Sequence, residues 1–137
     1  MEDISLHILD IAENSIRAKA RNINIMIIED KKNDLMTLTI EDDGVGMNDM
    51  AKEHALNPFF TTKKSKKVGL GLAFLAHSAE EAGGAMKIES EHGRGTKVIA
   101  TFRLGHIDRK PLGNLNETIK CLKVTHPDIN ITSDHVK

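Results

Sequence analysis

The sequence predicts an α+β domain, a two-layer α/β sandwich with helices on one face of a mixed sheet. Three observations predict it. Four segments follow the two-residue period of strands, and two longer ones carry apolar residues at helical spacing. Their order is helix, two strands, long loop, helix, two strands, which groups strands in pairs rather than alternating them singly with helices. At 137 residues the chain fits one domain.

Each element has its own signal. Ile4, Ile8, Ile11, Ser15 and Ala18 make one stripe and predict a helix over Ile4 to Ala20, with Asp3 or Ser5 as its cap. In Asn22 to Glu29 the residues Ile23, Ile25 and Ile27 alternate with Met26 and Ile28, which predicts a strand buried on both faces or nearly so. Lys31-Lys32-Asn33-Asp34 is a polar turn into a second strand, Leu35 to Glu41, so the two form a hairpin. The pattern then breaks from Asp42 to Gly71, apart from a short helical stretch near Asp49 to Ala55; so long a loop in a compact domain is usually functional. Leu72, Leu75, Ala76 and Ala79 define a second long helix, stopped by Gly83-Gly84. Met86 to Glu91 and Thr96 to Leu104 are strands around a hairpin turn. Beyond a connector at Gly105 to Gly113, the sequence suggests a helix over Asn116 to Val124 and a strand over Ile129 to Thr132. The expected organisation is a core over residues 1–104 and an extension over 105–137 packed on it.

Composition narrows the function classes. With 39% apolar and 28% charged residues the chain reads as an ordinary soluble globular protein. A net charge of −1 gives no basic field for holding nucleic acid, so any anion site must be local. The longest apolar runs are too short to span a bilayer, and the first residues lack the pattern of a signal peptide. A single cysteine, Cys121, suits a reducing cytosol, so the expected location is cytoplasmic. The seven histidines show no metal-ligand spacing.

Four clusters could carry chemistry. Asp10, Asn14 and Arg17 share one helix face, offering a proton acceptor, a metal ligand and a phosphate donor, although the same stripe could be a solvated face. Asp42 has the strand parity of Met36, Leu38 and Ile40, which turns a carboxylate toward the helix layer, where it needs a partner. Gly44 and Gly46 follow it and admit close approach to the backbone; a plain Asp-Gly turn is the bland alternative. Lysines 63, 64, 66 and 67 precede Gly69-Leu70-Gly71-Leu72, where glycines opening a helix leave N–H groups for a phosphate. No P-loop or dinucleotide fingerprint is present. Thr96, following Gly93-Arg94-Gly95, has inward parity with Val98, Ala100 and Phe102.

In this order the segments resemble the boxes of the GHKL (Bergerat-fold) ATPase superfamily, which includes histidine kinases, DNA gyrase, mismatch-repair ATPases and heat-shock chaperones. Asp10-Ile11-Ala12-Glu13-Asn14-Ser15 resembles the N box and Asp42-Asp43-Gly44-Val45-Gly46 the G1 box. Pro58-Phe59-Phe60-Thr61-Thr62-Lys63 is similar to the F-box region, Gly69-Leu70-Gly71-Leu72 to the G2 box, and Gly93-Arg94-Gly95-Thr96 to the closing Gly-x-Gly-Thr. The resemblance runs from about Ile4 to Leu104.

It implies a site for ATP and Mg²⁺. Asn14 would be the metal ligand, and Asp42 would accept a hydrogen bond from the adenine amino group, with Gly44, Gly46 and Met47 beside the adenine slot and Thr96 completing its network. Residues from about Asn48 to Val68, including Phe60, Thr62 and Lys63, would form the lid. Gly69, Leu70, Gly71 and Leu72 would cradle phosphates, and Arg17 and Lys63 would contact them. In ATP-hydrolysing members a Glu four residues before the Asn is the general base. Here Asp10 holds that place as the candidate catalytic residue, one methylene shorter, and a displacement near 1 Å can cost roughly 100-fold in rate. Glu13, about 100° around the helix, is a poorer candidate.

The family domain normally has a strand and helix ahead of the N box. The expectation is that the helix and strand of residues 105–137 fill that sheet edge. The resemblance implies transfer of the γ-phosphoryl group of ATP to a separate partner protein, as in histidine kinases; an anti-sigma-factor-type serine kinase, a non-catalytic ATP sensor and a simple ATPase are the alternatives. His7, about 10 Å from Asn14 along the axis, is read as a packing or surface residue rather than a phosphoacceptor.

Overall fold

A computed structural model describes residues 3–56 and 70–137. The elements are α1 (Ile4–Arg17), β1 (Asn22–Asp30), β2 (Leu35–Asp42), α2 (Asp49–Leu56), α3 (Leu70–Glu81), β3 (Met86–Glu91), β4 (Gly95–Arg103), α4 (Leu115–Thr125) and β5 (Asn130–Val136). The strands form one five-stranded sheet in the order β3-β4-β2-β1-β5. Three neighbouring pairs are antiparallel, and β5 runs parallel to β1, so the sheet is mixed.

The core lies between the sheet and the helices. Ile23, Ile25 and Ile27 of β1, Met36, Leu38 and Ile40 of β2, and Val98, Ala100 and Phe102 of β4 share it with Ile4, Ile8 and Ile11 of α1 and Leu72, Leu75 and Ala79 of α3. Fully burying an Ile or Leu contributes about 1.5–3 kcal/mol, so this layer is the main favourable term. From the C-terminal part, Leu115, Ile119 and Leu122 of α4 and Ile131 of β5 join the same cluster. The sequence suggested strand burial on both faces of β1. The structure corrects this: the helix-side isoleucines are buried, while Asn24 and Met26 are half-buried and Ile28 is 40% exposed. Asn24, Met26 and Ile28 lie on the other face of the sheet from the buried isoleucines.

Helix ends are set by local chemistry. Asp3 caps α1, its carboxylate accepting from the Leu6 N–H. The helix stops at Arg17 rather than Ala20 because Lys19 adopts φ 66°, letting its N–H donate to the Ile16 carbonyl and that of Ala20 to Ser15. The end of α3 is built the same way on Gly83, with Gly84 N–H donating to the Ala79 carbonyl. Asn48 caps α2 through Ala51 N–H, and Asn114 caps α4 through Glu117 N–H. β5 runs to Val136, beyond the expected Thr132, because strand pairing with β1 continues where its own residues turn polar. His7 is buried, at 1% exposure.

Candidate functional site

The N-box, G1 and closing segments converge where β2 ends and β4 begins. In the antiparallel pairing Asp42 lies opposite Thr96, so the two side chains share the helix-side face. The carboxylate of Asp42 has the partners its half-buried position demands: Oδ2 accepts from Ser15 Oγ at 2.6 Å and Oδ1 from the Gly44 N–H at 2.9 Å. Ser15 is 4% exposed on the inner face of α1. Its bond therefore fixes the N-box helix against the end of β2.

The loop after Asp42 is stitched on both sides. Val45 N–H donates to the Ala18 carbonyl at the end of α1, and the Val45 carbonyl accepts from Gly93 N–H in the β3–β4 turn. Gly46 has φ +73°, and a Cβ there would run into the Glu91 carbonyl. Gly95 has φ +96°, and a Cβ there would strike the Asp42 carbonyl. Met47 N–H donates to Ser90 Oγ at 2.8 Å, Ser90 Oγ donates to the Gly95 carbonyl at 2.8 Å, and the Ser90 and Thr96 hydroxyls lie 2.8 Å apart. Met47 packs partly buried against the core.

Asp43 points away from this face. It accepts from Asn22 Nδ2 at 2.8 Å and from the N–H groups of Asn22 and Arg21 at 2.9 and 2.8 Å. Those bonds, the Asn22 side chain foremost, hold its carboxyl at about 2, against a small opposing effect of desolvation. The two adjacent acids thus have separate work: Asp42 binds Ser15 of α1, and Asp43 pins the α1–β1 turn to the end of β2.

Asp10, Asn14 and Arg17 line the outer stripe of α1. Asn14 is half-buried and its Oδ1 accepts from the Arg17 guanidinium at 3.1 Å; Asp10 is exposed. The first turn of α3 comes so close that a Cβ on Gly71 would sit 3.0 Å from that of Asp10. Leu72 is 5% exposed in the core and supports α3 from beneath. Leu70 opens α3 and only its backbone is described. Phe60, Thr62, Lys63 and Gly69 lie outside the described residues. The structure therefore brings together Asp42, Gly44, Gly46, Met47 and Thr96 at the sheet end, and Asp10, Asn14, Arg17 and Gly71 along α1.

Two residues of this arrangement were not singled out by the sequence reading. Ser15 reads as a small member of an apolar stripe, and the available signal was its place next to Asn14 with an inward Asp42 needing a donor. Ser90 reads as one polar residue in a hairpin; its parity with Ile88 and Met86 was the clue.

Comparison with known proteins identifies the family. The family described as histidine kinase-, DNA gyrase B- and HSP90-like ATPase matches residues 2–106. A putative sensor protein of Shewanella frigidimarina is 30% identical over 103 residues, covering 74% of this chain and 16% of that protein. Sporulation kinase E of Bacillus subtilis is 33% identical over 95 residues, or 69% and 13%. The sensor histidine kinase ZraS of Salmonella typhimurium is 34% identical over 89 residues, or 64% and 19%. The chain spans less than a fifth of the length of each of these relatives. It belongs to the histidine kinase-, DNA gyrase B- and HSP90-like ATPases, and the domain it forms is an ATP-binding, kinase-like one.

Proposed function

We propose that this domain binds ATP with Mg²⁺ and passes the γ-phosphoryl group to a separate partner protein. The observation that carries the proposal is the joining of two polar groups through one bond: Ser15 ties the helix bearing Asn14 to the carboxylate of Asp42. In this reading Asp42 and Thr96 hold the adenine beside Gly44, Gly46 and Met47, while Asn14, Arg17 and the first turn of α3 at Gly71 hold the phosphate end. A charge-assisted hydrogen bond from the adenine amino group to Asp42 is worth about 1.5–3 kcal/mol, enough to dominate selection of the base.

The donor set fits magnesium. Asn14 offers a hard amide oxygen with two lone pairs, one of which accepts from Arg17. Among the described residues no group of three or more His, Cys, Asp or Glu gathers around a metal position. That suits an ion taking most of its oxygens from phosphates and water, with one or two from protein. When bound, the ion would neutralise charge on the phosphate oxygens. The chain's own share is positioning: Asn14 would orient the ion, Arg17 would offer a guanidinium to phosphate oxygens, and Asp10 would be the proton acceptor. The short reach of Asp10 favours transfer to a partner over rapid hydrolysis.

We propose as well that residues 105–137 are an integral part of this domain. The pairing of β5 with β1 and the burial of Leu122 support it. No helix among the described residues is long and apolar enough to cross a membrane, and we propose a cytoplasmic location.

A second reading, ATP sensing without turnover, draws on a different observation. Asn130 Nδ2 donates to Asn22 Oδ1, Asn22 Nδ2 donates to Asp43, and the His126 imidazole lies 3.5 Å from Glu13, beside Asn14. These contacts link the end of α4 to α1 and the start of β5 to the end of β2. Incubation with Mg²⁺ and γ-labelled ATP separates the readings. Label transferred to an added partner protein supports the kinase, steady phosphate release indicates an ATPase, and binding without turnover indicates a sensor.

A further inference from the structure

The face of the sheet turned away from α1 and α3 carries its charges in a pattern. Residues level with one another on paired strands form rungs across it. The central rung reads Lys87, Ile99, Thr39, Met26, Asp134 from β3 to β5. It begins on a cation, ends on an anion and is uncharged between. The rung where β4 ends repeats that order with Arg103, Leu35 and Asp30. Between the two lie Thr101, Thr37, Ile28 and Val136, none of them charged. Ile28 and Val136 stand side by side and are 40% and 52% exposed. Met26, Leu35 and Ile99 are half-buried around them, so apolar side chains of four strands meet water together.

A face that is basic at one edge, acidic at the other and apolar in the middle is complementary to its own reverse. We propose that it pairs with the same face of a second copy of this chain, about a two-fold axis running along β2. Such an axis keeps every residue at its level and exchanges the two edges of the sheet. Lys87 then faces Asp134 of the second copy, Arg103 faces Asp30, Ile99 faces Met26 and Thr101 faces Ile28. Thr37, Thr39 and Leu35 meet their own equivalents. Glu41 does so too, each with Lys97 as its cross-strand neighbour. Glu89, which lies 3.1 Å from Lys87 in its own chain, faces Thr132. Sheets stacked this way lie about 10 Å apart, a gap that a lysine and an aspartate can bridge. Five strands about 4.8 Å apart and about six residues long give roughly 24 by 20 Å per copy. The pair therefore covers about 1,000 Å², the lower end for a specific interface, and the dimer is a weak one. Asp42 and Thr96 lie on the other face of the sheet, so the proposal does not depend on the ATP-site reading.

The test is sedimentation equilibrium of the full chain from about 1 μM to about 1 mM, the range suited to so small an interface. The unsubstituted protein should pass from monomer to dimer. Lys87→Glu and Asp134→Lys each set like charges against one another twice per dimer, and each should weaken association about tenfold or more. An equimolar mixture of the two variants should regain it, because every edge contact in the mixed dimer again joins opposite charges. Ile28→Asp places a charge in the apolar centre and should leave a monomer. Should Ile28→Asp not fold, the two charge variants, both at exposed positions, carry the test. A monomer at every concentration overturns the proposal. So does an association that Lys87→Glu or a folded Ile28→Asp leaves intact, or a mixture that fails to regain what each charge variant lost. ATP affinity measured alongside should be the same in every variant, and its absence would count against the nucleotide site alone.

Discussion

The end of the sheet around Asp42 and the C-terminal pair α4 and β5 are held by opposite kinds of force. At the sheet end, directed bonds set the geometry: Ser15 and Gly44 donate to Asp42, Met47 to Ser90, and Arg21 and Asn22 to Asp43, and the Ser90 and Thr96 hydroxyls bond each other. In α4 and β5 the weight falls on burial of Leu115, Ile119, Leu122 and Ile131 and on the backbone ladder to β1. Directed bonds are individually small in net stability but demanding in geometry, whereas burial is large and tolerant of detail. The difference teaches that the first region should fail by losing ligand and the second by losing the fold.

Substitutions can break or sharpen that contrast. The largest effect is expected from a chain ending at Gly113. It removes β5 from the edge of β1 and uncovers the core beneath α4, so circular dichroism should show no cooperative melt. Retention of the full-length melting temperature would mean that the C-terminal pair is an appendage. Next is Leu122→Ala. Leu122 is fully buried, and the substitution should cost about 2–5 kcal/mol in denaturant unfolding, with ATP affinity unchanged wherever the protein remains folded. A weakened nucleotide affinity there would show that the two regions are coupled, as the sensing reading requires.

A smaller effect is expected from Asp43→Asn. The folded carboxyl titrates at about 2, below its ordinary 3.8, so its stabilising contribution is present above 3.8 and is lost as pH falls toward 2. The unsubstituted protein should therefore lose melting temperature between pH 4 and 2 more steeply than Asp43→Asn. Parallel curves would mean that these bonds do not favour the charged form.

What could be read from the sequence follows the same division. Asp42, Gly46 and Thr96 were legible because an inward carboxylate, a glycine pair and strand parity each leave a mark on the pattern. The pairing of Ser15 with Asp42 was not, since it joins positions 27 apart and a serine on an apolar stripe looks like packing. The full reach of β5 was hidden for a related reason. Only Ile131 in it is buried, and Ser133, Asp134 and His135 are in strand because β1 offers them a ladder rather than because they favour one. The expectation of a doubly buried β1 failed at Met26 and Ile28, whose apolar character is spent on the open face of the sheet.

The central claim is that Asp42 reads the base while the fold stands without that contact. Isothermal calorimetry of ATP with Mg²⁺ on the unsubstituted protein and on Asp42→Asn tests it most directly. The expected result is one nucleotide bound per chain in the first, and in the second an affinity lowered by about 1.5–3 kcal/mol or lost altogether, with an unchanged melting temperature. Equal affinity in both proteins, or no heat from either, would contradict it.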